Sequence, residues 1–314
     1  SRNPSDLVFF SKYLIFCKEA IKDSQKYVPE FLEDMIEKNL NCIHYIKTPD
    51  GRLPLFNGAT SLNLNQIQKY LDNFKPDIKI NNLGGLFKIK HKSHFLLIDI
   101  DKPPQKKFSK SYQSGPLSFE YFLDGTKIIT NSGFGGPISK KIELLSRLTA
   151  CQSTLTINDT SITKFEKNEM ISKVFGNSIR NSFKSFDFIE KNENSSTGCS
   201  ASNDGYEKMF GCTHKREVYL DKENSFLKGT DHIFKAKDGY PIRYAFRFHI
   251  NPELNVVKTM SGNSALIQIS KNKSLIFTIA DENLEIEKSI YFGEKKIIDS
   301  ACITISGNLV NKNK

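Results

Sequence analysis

The chain has 314 residues and, with 24 Phe and 11 Tyr standing in for the absent Trp, holds enough bulky apolar material for a large core, which excludes a disordered chain. Its formal net charge of +10 is spread along the sequence rather than gathered in a tail, a balance suited to a polyanionic partner. No helix-turn-helix, finger or RNP-type motif accompanies that charge, so nucleic acid is not expected. Six cysteines without a CxxC pair or repeated spacing exclude a zinc ribbon and give no disulfide framework, and no apolar run is long enough to span a bilayer.

The first predicted element is a helix over Asp6–Lys22, where Leu7, Phe10, Leu14, Cys17 and Ile21 recur at helical spacing, with Asn3 or Ser5 as its cap. Pro29 opens a second helix carrying Phe31, Leu32, Met35, Ile36 and Leu40. The pair reads as an α-hairpin too small to bury both of its faces. A short helix near Asn65–Phe74 ends before Pro76. Leu86–Asp101 then reads as a strand entering a core. Asp124-Gly125 between Phe119–Leu123 and Lys127–Thr130 is the strongest hairpin signal in the chain. Ala150–Ser161 joins a polar cluster to a strand, and Lys191–Asp204, rich in Ser and Asn, reads as a loop. Further strands are expected at Val218–Leu220, Ile242–His249, Ala265–Ile269, Leu275–Ile279, Ser289–Phe292 and Ala301–Ile305. Such spacing predicts an antiparallel β-sandwich.

Short motifs in a fixed order strengthen this reading: SRNPS at Ser1–Ser5, DGRLPLFNGA at Asp50–Ala59, LSFE at Leu117–Glu120, STLTIND at Ser153–Asp159, DGY at Asp204–Tyr206, HKR at His214–Arg216 and RFH at Arg247–His249. On these residues the chain resembles the C-terminal part of the heparinase II/III-like polysaccharide lyases of bacteria. The resemblance implies a mainly β fold, a large antiparallel supersandwich-like β-sandwich over 49–314, preceded over 1–48 by a helical remnant of an (α/α) toroid. A start at Ser1 inside a motif fits a fragment, and the resemblance favours the periplasm or cell envelope.

It also implies β-elimination on an acidic, uronate-containing glycan such as a glycosaminoglycan. Elimination needs a neutralised carboxylate, a base and an acid. Tyr206 and His214 are the expected catalysts, and Arg2, Asn3, Gln113, Gln152, Asp204 and Arg216 the expected substrate contacts. His214 and Arg216, two apart on a predicted strand, share one face and suit one anionic ligand. Gln113 and Gln152 stand where the family's pattern has histidine. An amide hydrogen-bonds but does not titrate near neutrality. The alternative is therefore a noncatalytic carbohydrate-binding or cell-envelope module. Some relatives hold a structural zinc near Gln152 and Thr154, which are poor ligands, so neither metal nor cofactor is expected.

Overall fold

The structure, a computed structural model, describes residues 2–62, 64–76, 82–236, 240–280 and 282–310. Helix α1 (Pro4–Asp23) begins at Asn3, whose side chain accepts the Ser5 amide at 2.8 Å, and α2 (Glu30–Ile46) follows Pro29. Leu32, Ile36, Leu40 and Ile43 of α2 are buried, whereas Phe31 and Met35 of the predicted stripe face outward. The apolar stripe is thus wider than the face the hairpin covers. With the short α3 (Gln68–Asn73), these helices share a core with Leu86, Phe95, Leu97 and Phe122 of the first sheet.

Among the described residues, sixteen strands form three antiparallel sheets. The largest begins with β1 (Asn82–Leu83), β2 (Leu86–His91), β3 (His94–Asp99), β4 (Phe119–Leu123), β5 (Thr126–Thr130) and β6 (Leu155–Ile157). The predicted single strand over Leu86–Asp101 is two, because the chain reverses at Lys92 with positive φ. The Asp124-Gly125 hairpin forms as expected, with φ of 49° and 79° at its two central residues.

A second sheet is the meander β7 (Ser185–Asn192), β8 (Ser196–Tyr206), β9 (Cys212–Asp221) and β10 (Phe226–Lys235). The expected loop over Lys191–Asp204 is therefore a tight hairpin leading into the central strand β8. Its polarity misleads because its side chains are small: Cys199, Ser200, Ala201 and Ser202 are buried between neighbours, and a Cβ on Gly198 would sit 2.1 Å from the Val218 carbonyl. Next come β11 (Ile242–Ile250) and a three-stranded sheet of β12 (Asn255–Lys258), β13 (Ser264–Ser270) and β14 (Lys273–Thr278). The closing strands β15 (Glu285–Tyr291) and β16 (Ile298–Leu309) return to the first sheet. The nine- and four-stranded sheets enclose one core containing Phe119, Leu155, Val218, Phe246 and Ile303.

One irregularity sets the position of Ser153. Along one edge, β11 pairs with β6 at Tyr244–Phe246 and with β5 at His249–Ile250, so the edge is shared by two strands. The residues between them fill the gap: Arg247 donates its amide to the Thr154 carbonyl at 3.1 Å, and the His249 amide reaches the Ser153 hydroxyl at 3.0 Å. That hydroxyl in turn donates to the Thr130 carbonyl at 2.6 Å. Ser153 replaces a missing ladder bond with its side chain.

Candidate functional site

The residues singled out by motif are nearly all interior. Alternation along β9 does put His214 and Arg216 on one face. The anion they meet belongs to the chain: Asp231 lies opposite Arg216 on β10. His214 Nε2 donates to Asp231 Oδ1 at 2.7 Å, and Arg216 forks onto both carboxylate oxygens at 2.7 and 3.0 Å. Arg216 Nη1 crosses the sandwich to the carbonyls of Leu117 and Ser153, both at 2.8 Å, and its guanidinium lies over Phe119 and Phe248. Burial would raise the Asp231 carboxyl, but Arg216 and His214 overcome it and hold the group below the usual carboxylate range. Burial pushes His214 down more than Asp231 raises it, leaving the imidazole neutral at pH 7.

Tyr206 is sealed as well. Its hydroxyl donates to the Thr160 carbonyl at 2.7 Å, and burial pushes its pKa up, away from any neutral-pH base. The Gln113 amide is fully used by backbone: it donates to the Gly133 and Ser146 carbonyls, both at 2.9 Å, and accepts the Gly58 amide at 3.0 Å. Gln152 donates to the same Ser146 carbonyl at 3.0 Å. Asp204 accepts the Lys184 amide at 2.6 Å. Arg2 pairs with buried Asp99 and donates to the Gly84 and Lys102 carbonyls at 2.6 and 2.9 Å. The expected catalysts and contacts thus do not converge on one sugar-facing surface. Each of these side chains meets partners within the chain, and burial withdraws most of them from solvent.

Asn3 is the exception, for besides capping α1 it lines an open cleft of about 1610 Å³. One wall is α4 (Lys140–Ser146), which contributes Lys140, Lys141, Glu143, Leu144 and Leu145. The 160–167 segment, with Asn177 and Arg180, also lines the cleft and brings Lys164 and Lys167. With Lys110 and Lys173, seven cations line the cleft beside three carboxylates, Asp6, Glu143 and Glu166. Phe134, Leu148 and Phe165 add apolar surface to the lining. Among its described lining residues there is no Tyr and no His.

Side chains that lie outside the cleft, Tyr206 of the DGY motif among them, brace its lining. Tyr206 holds Thr160, the Thr149 amide donates to Ser161 Oγ at 3.2 Å, and Ser114 Oγ accepts the Thr163 amide at 3.0 Å. Asn181 Oδ1 accepts the Lys164 amide at 2.6 Å, and the Phe165 ring lies 4.0 Å from the guanidinium of buried Arg147. Glu166 is committed to the Asn168 and Lys167 amides, both at 3.0 Å, which hold it below the usual carboxylate range. The lysines that line the cleft escaped sequence reading because basic residues are everywhere in the chain. The one available signal was their clustering in KKFSK, KK and KFEK.

A family model described as "Heparinase II/III-like, C-terminal" matches residues 76–313. No curated protein matches the chain. Among solved structures, heparan sulfate lyase HepC from Pedobacter heparinus aligns at a TM-score of 0.74 with 13% identity, over 100% of this chain and 50% of that one. A mutant of HepC gives 0.75 and 12%, over 100% and 51%, and a heparinase III gives 0.74 and 14%, over 99% and 52%. At such identities the likeness is one of fold, and the chain spans about half the length of these proteins.

Proposed function

Because the chain belongs to the heparinase II/III-like C-terminal family, we propose that it is the sandwich portion of a polysaccharide lyase-like protein and that it holds an acidic, uronate-containing glycan in the basic cleft. The observation that carries this reading is the concentration of seven cations against three carboxylates in one braced, open groove. A row of ammonium groups neutralises uronate carboxylates, which is the first requirement of β-elimination, while Phe134 offers a ring for the apolar face of a pyranose. Tyr206 and His214 serve the fold, since a hydroxyl and an imidazole already bonded inside the chain reach no substrate proton. This chain's part in elimination is then binding and charge neutralisation.

A noncatalytic glycan-binding module is the second reading. It is favoured by the described lining of the cleft, which contains neither Tyr nor His. Incubation with uronate-containing polymers separates the two: a lyase generates the ultraviolet absorbance of an unsaturated uronate, whereas a module retains the polymer unchanged. Failure to retain any polyuronate at low ionic strength would refute both.

A further inference from the structure

We propose that the surface formed by α5 (Glu169–Phe175) and the 106–110 segment, which shares lining residues with the cleft, docks on an anionic membrane surface. Met170 and Val174, one turn apart on α5, are 80% and 73% exposed, and Phe108 on the neighbouring segment is 49% exposed. Phe108 and Val174 line one groove with Lys107, Lys110 and Lys173, so these two apolar tips share a surface with the cations, and Met170 lies one turn from Val174 on the same helix. Among the described residues, Asp6 is the one acidic side chain in that groove. Lys106 adds a further exposed cation beside Phe108.

The platform is fixed rather than loose. Ser109 Oγ accepts the Ile179 amide at 3.0 Å, Arg147 donates to the Ser109 carbonyl at 2.9 Å, and Asn168 caps α5 by accepting the Met170 and Ile171 amides at 3.0 and 3.2 Å. Exposed apolar tips held rigidly among lysines gain nothing in water. At the boundary of an anionic bilayer the tips enter the headgroup layer while the ammonium groups meet lipid phosphates. A soluble polyanion would engage the same lysines but leave Met170 and Val174 unused, and this is what selects the membrane as occupant. The two surfaces share Lys110 and Lys173, and Met170 and Val174, which do not line the cleft, separate this proposal from the glycan reading.

The test is co-sedimentation of the full chain with vesicles of phosphatidylcholine alone and of phosphatidylcholine with phosphatidylglycerol. Binding is expected on the anionic vesicles only. Met170→Ser with Val174→Ser should weaken it by about tenfold or more while leaving retention on a soluble polyuronate unchanged. Lys106→Glu with Lys107→Glu, both exposed on a short 3-10 turn, should weaken vesicle binding on its own. No partition onto anionic vesicles overturns the proposal. So does equal partition of native and Met170/Val174 variants, loss on Phe9→Ser with Phe16→Ser instead, or a parallel loss of polyuronate binding in the Met170/Val174 variant.

Discussion

The chain carries two polar centres of opposite kind. One is the His214–Arg216–Asp231 cluster, largely buried, bidentate and tied across the sandwich to the carbonyls of Leu117 and Ser153. The other is the cleft, whose lysines are exposed and largely unconfined. A buried ion pair is costly to create and costlier to break, whereas an exposed lysine adds little to stability and stays free to meet a ligand. Substitutions should therefore divide cleanly, with the interior cluster governing stability and the cleft governing binding.

The largest effect is expected from Asp231→Ala, which leaves a buried guanidinium without its carboxylate. It should cost about 3–5 kcal/mol in denaturant unfolding, with little dependence on salt because the pair is screened from solvent. Arg216→Met combined with Asp231→Leu should recover part of that loss, since no charge is then stranded. Recovery stays incomplete, because the Leu117 and Ser153 carbonyls lose the donor that reaches them. If Asp231→Ala unfolds at the native denaturant midpoint, the interior cluster is not the structural centre and the comparison fails.

A smaller effect tests the same interior through pH. His249 donates from Nε2 to the Ala150 carbonyl at 3.0 Å and accepts the Ser289 hydroxyl at Nδ1 at 2.8 Å, an arrangement that suits the neutral ring. Burial, with a smaller push from Arg247, takes its pKa down to about 4 from an ordinary 6.5, against the opposing Ala150 hydrogen bond. Between these values the unfolded chain binds a proton that the folded chain does not, so stability falls as pH drops through this window. The loss by about pH 4 is on the order of 3 kcal/mol, and His214, also shifted down, acts with the same sign. His249→Gln can make both hydrogen bonds without titrating and should flatten the slope. A slope unchanged in that variant would place the titration elsewhere.

Much of this was legible in the sequence where the signal is local. The Asp124-Gly125 turn and the helices α1 and α2 each need only neighbouring residues and form where read, but the predicted stripes only partly coincide with the buried faces: Phe10, Cys17, Phe31 and Met35 are exposed, while Ser11 and Ile15 of α1 are buried. The sandwich was legible for the same reason, from strand spacing. The central strand β8 was not, because Ser, Gly and Asn report turn preference while their small size, which is what the packed sheet requires, leaves no periodic trace. The motifs marked important residues but not the direction in which they act. His214 and Arg216 do share a face and do meet an anion, yet that anion, Asp231, arrives from another strand, 15 residues beyond Arg216. Cleft lysines carry no motif, since a point charge on a flexible stem can serve from many backbone positions.

The smallest effect on stability should come from the cleft itself. Lys164 is held by its backbone amide, not its ammonium group, and both Lys164 and Lys167 are exposed. Lys164→Glu with Lys167→Glu should therefore shift unfolding by no more than about 0.5 kcal/mol. The same pair should weaken retention of a polyuronate by roughly tenfold at low ionic strength, with the difference shrinking as salt screens it. Affinity titrations across a salt series beside an unfolding curve read both quantities. A variant that unfolds early, or binds the polymer as tightly as native protein at every salt concentration, would erase the distinction between a structural interior and a binding cleft.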